Sequence, residues 1–470
     1  MYASRRVASN DWAAVANSGG PDSTCLLWHL SSLIKKDGPT GLPRRVVSLH
    51  INHKLQKASD DMAALAEQSA RALGVEHRVF TVPWSRPPYP AFPESASTEL
   101  HARRARMRAL FDQMSEEGAA AIAFGHHADD QVETVMMRYI SGSRVLGLRG
   151  MLPVRRWGMG NSEGDGALDF YGETGMSRWV VRPFLSVPKA RLLSTCERHG
   201  LEYAVDKTNF NPSLTSRNAI RHMLGTYTKL ISESPISVGM DTAQLASGLD
   251  EPRSVDSLRE IVRQLGQRVD IINGQVSSLL TRVLLPTLPS TVTLSSPWLK
   301  GIPAYTLEGL VSRVLRYVSS HPWGSTRAQA KGSRSTYTNT VAKLTEVVLP
   351  RRTFASGAAV MFIPGAVVRE GAFRQSEPSE VNRRAWRAQK APPYARDRLH
   401  TDKISDSLVV DLTPRLLEWR EGEPYPTVLY DNRFLVEFVM SQVPQTVLAT
   451  LKRGPGAHLT EFLSYWRSES

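Results

Sequence analysis

The sequence predicts an α/β protein, with a parallel sheet carrying helices on both faces, then a helical region and a small mixed C-terminal domain. Three observations point there. Strand-like apolar runs alternate with amphipathic stretches over about the first 225 residues. Glycine-bearing turns at 18–20 and 125 directly follow such runs, where the ligands of open parallel sheets bind. Past residue 225 the apolar spacing becomes helical.

The elements follow in order. "WAAVAN", 12–17, reads as a buried strand running into the first turn, and a helix from Ser23 sets Leu26, Leu27, Leu30, Leu33 and Ile34 on one face. "RVVSLHI" is a second strand, ending at Ile51. Ser59 is placed to N-cap a helix bearing Met62, Leu65, Ala66 and Leu73, which Gly74 closes. "EHRVFTV" is a third strand. A helix spans Thr98 to Met114, "AAAIAF" is the next strand, and another helix starts just after Gly125. Crossovers of this length imply parallel pairing with right-handed connections. Residues 153–178, rich in glycine and acids and without period, read as a surface insertion. "RWVVRPFL" resumes a strand, and Pro188 starts a helix that Gly200 ends.

Beyond that unit, Leu258, Ile261, Val262, Leu265 and Val269 make one helical stripe. Leu307, Leu310, Val311, Val314, Leu315 and Val318 make a second, and 320–340 reads as a loop. The expected division is 1–225 (with the 153–178 insertion), a helical region at 226–345, and a small mixed α/β domain at 346–470.

A chain of 470 residues exceeds one typical core, in line with two or three domains. Hydrophobic content of 41% with 22% charged residues is ordinary for a soluble globular protein. No apolar run approaches the length of a membrane span. Cys25 and Cys196 are too few for a disulfide framework, give no paired-thiol motif for zinc or iron–sulfur, and fit a reducing compartment. The net charge of +13 favours a nucleic-acid or anionic-membrane partner, unless the whole proteome or organelle is basic. "MYASRRVASN" has the composition of a transit peptide, though it is short and also reads as a flexible arm or a truncated gene start; the mitochondrial matrix is the expected location and the cytoplasm the alternative.

Chemistry concentrates in a few strings. Ser18-Gly19-Gly20-Pro21-Asp22-Ser23 lacks the lysine of a Walker loop. What remains is a nest of backbone N–H groups at a helix start, suited to phosphate, with Ser18 and Ser23 adding hydroxyls. Asp22 beside phosphates implies a bridging Mg²⁺; the other reading is a capped helix start. "GHHADDQVET", 125–134, sets His126 and His127 before a helix whose first turns carry Asp129, Asp130 and Glu133. That set suits Mg²⁺ and proton handling better than zinc. In "ELHARRARMRALFDQM", 99–114, Arg103 interrupts the stripe of Leu100, Met107, Leu110, Phe111 and Met114. A guanidinium there is buried and needs an anion, or else it snorkels. "HINHKL", 50–55, leaves Asn52 and His53 at a strand end. "DKTNFNPSLTSRNAIRHML", 206–224, gathers Asp206, Asn209, Arg217, Asn218 and Arg221, residue types that contact phosphate and ribose; the other reading is a solvated turn and a basic helix.

The first loop resembles the SGGxDS pyrophosphate loop of the N-type ATP pyrophosphatases, the PP-loop enzymes with the adenine nucleotide alpha-hydrolase-like fold. "GHHADDQVET" and its continuation "RYISGSRVLGLRGM" resemble the tRNA(Ile)-lysidine synthases within them. "HINHKL" is similar to that family's H-V-N-H-G-L, and residues 206–221 to its D-x-[ST]-N…R-N-x-[IL]-R. Arg103 and Arg106 match its A-R-x-x-R-Y helix, with Met107 standing where the aromatic is usual.

The resemblance covers about residues 15–225 and implies a reaction. ATP adenylates the C2 oxygen of the wobble cytidine of a CAU-anticodon tRNA(Ile), and free lysine then displaces AMP. ATP contacts are implied at Ser18, Gly19, Gly20, Pro21, Asp22, Ser23, Asn52, Arg103, Arg106, Gly125 and His126. Asp130, His126 and Asp22 are implied as catalytic, with Asp22 and Asp130 on Mg²⁺. Contacts to tRNA are implied at Arg182, Asn209, Arg217, Asn218 and Arg221, and a homodimer is compatible with the family.

In the basic stretch at 383–398, Arg383, Arg384, Arg387, Lys390 and Arg396 offer phosphate contacts, and Trp386 and Tyr394 can stack on bases. A solvated basic surface is the alternative there. Two rival functions remain: another PP-loop adenylating enzyme, such as a tRNA 2-thiolation enzyme, or a non-catalytic tRNA-binding descendant. Length and insertion resemble a fungal mitochondrial member more than a compact bacterial one.

Overall fold

The computed structural model describes residues 12–37, 43–56, 58–93, 98–143, 145–160, 168–205, 217–224, 254–287, 290–319, 321, 323, 334–346, 351–367, 373–375, 381–391, 412–430 and 434–452. They cluster into two compact units. One comprises Met1–Gly158, Ser162–Arg282 and Gly301–Leu310; the other comprises Met159–Asn161, Val283–Lys300 and Val311–Ser470.

In the first unit, β1 (Trp12–Ala16), β2 (Arg45–Asn52), β3 (Glu76–Thr81), β4 (Ala121–Ala123), β5 (Val154–Arg156) and β6 (Trp179–Val181) form one sheet in the order β3-β2-β1-β4-β6-β5. Every pairing is parallel except β5 on β6. The chain winds outward from β1 to β3, then returns to lay β4 on the other side of β1. This reversal opens a crevice at the carboxyl ends of β1 and β4, the place where such sheets bind ligands.

The apolar runs of β1 and β2 follow from burial on both faces. Beneath one face, Val15 packs with Cys25, Leu26 and Leu27 of α1 (Pro21–Asp37) and with Leu192 and Cys196 of α6 (Lys189–Arg198). Against the other, Ala14, Leu49 and Ile122 meet Ala105, Ala109, Leu110 and Met114 of α3 (Thr98–Glu116). Leu26, Leu27 and Leu110 are among the largest fully buried side chains, and truncating one to alanine costs about 2–5 kcal/mol.

Six expectations need correction, five here and that for Trp386 below. Ala58, not Ser59, stands at the N-cap of the helix Ser59–Ala72, and no side-chain bond caps it. Helix α1 begins at Pro21, not Ser23, because proline's missing N–H costs nothing at the first helical position. Arg103 is exposed, and so is Leu100: α3 faces the sheet with Ala105 and Ala109, whose small side chains let it approach closely. The 153–178 stretch is not an appendage. It supplies the edge strand β5 and buries Trp157 and Leu168 in the core, with Trp157 and Tyr171 against Phe111. These contacts come from irregular chain, so no period betrays them. Finally, a helix at Arg334–Thr345 occupies the end of the expected 320–340 loop.

The first unit also holds α2 (Ser59–Ala72), α4 (Ala128–Ile140), the short α5 (Thr174–Ser177), a helix over 217–224 and most of the long Val255–Val283 helix. Leu265 of that long helix packs on Val135 of α4 and on Leu148. In the second unit, Leu284–Leu285, Val292–Ser295, Val360–Val367, Phe373–Arg374 and Arg384–Lys390 build an antiparallel sheet. Trp386 lies at its centre, 1% exposed, its indole N–H donating to the Leu344 carbonyl at 3.2 Å. It therefore stacks on no base, contrary to expectation. Arg387 beside it lies over the Phe373 ring, and Tyr394 and Arg396 fall outside the described residues.

Candidate active site at the crevice between β1 and β4

The two glycine turns meet backbone to backbone. Gly19 has φ +78°, and a Cβ there would lie 2.8 Å from the Met62 carbonyl of α2. A Cβ on Gly125 would lie 2.8 Å from the Asp22 carbonyl. Only glycine satisfies both approaches.

Within the first loop the two serines divide their roles. Ser23 is buried, accepting the Ser18 N–H at 3.2 Å and donating to the Gly20 carbonyl at 3.0 Å or to Asn17 Oδ1 at 3.1 Å. Its hydroxyl is spent inside the loop, while the exposed Ser18 hydroxyl lies 3.2 Å from it and accepts the Gly20 N–H at 3.4 Å. The first-turn N–H groups of α1 have no helical acceptor and supply the nest.

Asp22 projects from that turn. One carboxylate oxygen, Oδ2, takes a bond from Lys189 Nζ at 2.7 Å; the other, Oδ1, is buried and has no hydrogen-bond partner among the described residues. His127 forms a capping box with Asp130 at the start of α4: its Nδ1 accepts the Asp130 N–H at 3.4 Å, and Asp130 Oδ2 accepts the His127 N–H at 2.9 Å. In the neutral ring this leaves the proton on Nε2, which lies 3.7 Å from Asp22 Oδ2 and 3.5 Å from Asp130 Oδ2. Burial opposes the charge of Asp130, yet the neighbouring histidines, the His127 N–H and Arg217 outweigh it and hold the carboxyl below its usual range.

His126 is different. Burial drives its pKa down to about 3; Asp130 pulls the other way, and Arg182, Arg217 and Arg103 add to the drop. The ring is neutral at physiological pH, and its Nδ1 accepts the Arg182 Nε–H at 3.3 Å. Its Nε2–H can donate to a phosphate oxygen without adding positive charge.

The remaining candidates mostly hold the frame. Asp129 accepts the Lys189 N–H at 2.8 Å, capping α6, and binds Arg259 through its other oxygen. Glu133 is buried and clasped by Arg221 at 2.7 and 3.0 Å, with Arg217 Nε at 3.3 Å. Burial raises its pKa against the pull of these arginines. Arg217 and Arg221 thus face an internal carboxylate, Asn218 is buried, and buried Arg182 also donates to the Leu152 carbonyl at 2.9 Å. Asn52 ties the end of β2 to Asp60 at 2.8 Å. Arg103 and Arg106 are exposed on α3, and their charge reaches His126 and His53 respectively. Asp206 and Asn209 lie outside the described residues.

Three residues were not singled out from sequence as site components. Lys189 left one signal, since a lysine at the first position of a helix opposes the macrodipole and needs an acidic partner. Arg259 looks like any solvated helical arginine. Asn17 is the buried residue on which the first loop turns.

Residues 3–227 match the family described as the PP-loop domain. A tRNA(Ile)-lysidine synthase of Bradyrhizobium sp. (strain BTAi1 / ATCC BAA-1182) is 34% identical over 257 residues, 54% of this chain and 61% of that protein. One of Bacillus subtilis (strain 168) is 32% identical over 224 residues, 47% of this chain and 41% of that protein. The chain thus spans less than two thirds of either relative's length. Among solved structures, a U34-tRNA thiolase NcsA from Methanococcus maripaludis aligns at TM-score 0.37 and 18% identity, over 56% of this chain and 73% of that one.

Proposed function

We propose that this chain, whose residues 3–227 match the PP-loop domain family, is an AMP-forming ligase that joins lysine to C2 of the wobble cytidine of a CAU-anticodon tRNA(Ile). The carrying observation is the cluster of Asp22, Lys189, His127 and Asp130 between the ends of β1 and β4. The names of the relatives supply the acceptor.

The chemistry runs in two displacements. The cytidine C2 oxygen attacks the α-phosphorus of ATP, and the bond to pyrophosphate breaks. The lysine ε-amine then attacks C2, the C2–oxygen bond breaks, and AMP leaves. The α1 nest and Lys189 offset charge on the departing pyrophosphate. His126 donates its Nε2–H to the transferring phosphate. Asp130, held ionised, orients the lysine ammonium or takes up the proton that it sheds.

A Mg²⁺ ion fits here on one ground: among the described residues, Asp22 Oδ1 is a buried carboxylate oxygen without a partner. Among the described residues no group of three or more His, Cys, Asp or Glu makes a ready metal cage. Asp22, with Asp130 nearby, would therefore share the ion with phosphate oxygens, where it supplies charge neutralisation. Among the described residues, no helix is long and apolar enough to cross a membrane. We assign tRNA contacts to the chain beyond residue 225, with Arg387 as one candidate.

The test is pyrophosphate release from ATP with and without lysine and a CAU-anticodon transcript. Release that needs both supports the ligase. Release without lysine points to another adenylating enzyme, and tRNA binding without ATP binding points to a non-catalytic descendant.

A further inference from the structure

Asn17 stands between β1 and the phosphate loop, 2% exposed, and every polar atom of its side chain is engaged. Oδ1 accepts the Gly19 N–H at 2.9 Å and the Ser23 hydroxyl at 3.1 Å. Nδ2 donates to Ser48 Oγ on β2 at 3.1 Å and to the Ala66 carbonyl of α2 at 3.3 Å. The backbone carbonyl of Asn17 accepts His50 Nδ1–H at 2.9 Å, and its N–H donates to the Leu49 carbonyl at 2.9 Å. One amide thus ties the loop to a neighbouring strand and to the helix against which Gly19 is pressed.

We propose that Asn17 is a positioning residue for nucleotide binding: its side-chain oxygen fixes the loop in its phosphate-accepting conformation before ATP arrives. The claim rests on the reading of this loop as an ATP site, but not on the identity of the acceptor. The bond from Gly19 N–H to Oδ1 spans two residues, the turn that a side-chain oxygen can impose on its own backbone. It holds Gly19 at positive φ with its N–H turned inward. Ser23, bonded to the same oxygen, draws the first turn of α1 toward the strand end. Ligand contact is thereby left to the N–H groups of the α1 first turn. An apolar residue here would leave the buried Gly19 N–H without that acceptor, and a buried donor left unmade is costly. The loop would then have to be ordered at the expense of ATP binding.

Threonine and valine share a shape and differ by one oxygen, and a threonine hydroxyl can still accept a bond from a backbone N–H two residues on. Mg·ATP binding to the full chain, measured calorimetrically without lysine or tRNA, is therefore compared for wild type, Asn17→Thr and Asn17→Val. Asn17→Val is expected to bind Mg·ATP about tenfold more weakly, one buried hydrogen bond's worth, and Asn17→Thr to recover most of that loss. Both lose the Nδ2 anchors, so their melting temperatures fall together. A merely structural role predicts equal ATP affinities for the two variants, and that result overturns the proposal. If Asn17→Val does not fold, Asn17→Ser against Asn17→Ala makes the same comparison at smaller volume. If the wild type binds Mg·ATP yet makes no lysidine, the acceptor assignment fails while the role of Asn17 is still decided.

Discussion

Lys189 Nζ lies 2.7 Å from Asp22 Oδ2, joining the first turns of α6 and α1 across 167 residues of sequence. The loop has no lysine of its own, and this contact brings one in from another helix. Lys189→Met is expected to slow pyrophosphate release about 100-fold, the usual loss when one donor to a developing oxyanion is removed. Stability should change little, since the pair is partly solvated. Single-turnover kinetics beside a melting curve checks this; unchanged release removes Lys189 from the site.

Gly125→Ala places a methyl group 2.8 Å from the Asp22 carbonyl, so one of the two turns must move. The expected result is a stability loss of about 1–3 kcal/mol with weakened ATP binding. Denaturant unfolding and calorimetry on the same sample read both effects. Normal affinity would show that the two turns need not touch.

Glu133→Gln removes the buried charge that two arginines share. Breaking a buried pair costs about 3–5 kcal/mol, but the Arg221 side chain is 39% exposed, so about 2 kcal/mol is expected. Arg221→Gln should cost less, because water takes over part of its role. Urea midpoints for the two variants test the order.

Burial lowers His53 and His77 to about 4 and His126 to about 3, all from an ordinary value of 6.5. Arg106 and His50 add to the drop at His53, and His50 at His77. Because the folded pKa values are depressed, the unfolded chain binds more protons between these values and 6.5. Stability is therefore full above pH 6.5 and is lost as pH falls toward 4, by up to about 1.4 kcal/mol per pH unit for each histidine. Melting temperatures from pH 7 to 4.5 should fall steadily, and His77→Gln should flatten the curve. An unchanged slope would show that His77 is not held neutral.

Much of this was legible in the chain. The strand and helix periods located β1 to β4 and their helices, and the turns at 18–20 and 125 marked the crevice before any strand order was known. Partnership was not legible. Asp129 and Asp130 look alike in sequence, yet one caps α6 and the other caps α4 beside Asp22, because the choice depends on which loop lies opposite. Lys189 and Asp22 pair only after the sheet is wound. Trp386 looked like a base platform because a strand flanked by arginines reads as surface until its partner strands are in place. Asn17 carries no signal in the sequence, because its side-chain partners lie on β2 and α2.

The most direct measurement is transfer of labelled lysine. Incubated with ATP, Mg²⁺ and an unmodified CAU-anticodon tRNA(Ile), the chain should fix one lysine per tRNA at the wobble cytidine, with one AMP released for each. A transcript carrying another wobble base should take up none. AMP formation without label in the tRNA, or label at any other nucleotide, would contradict the assignment.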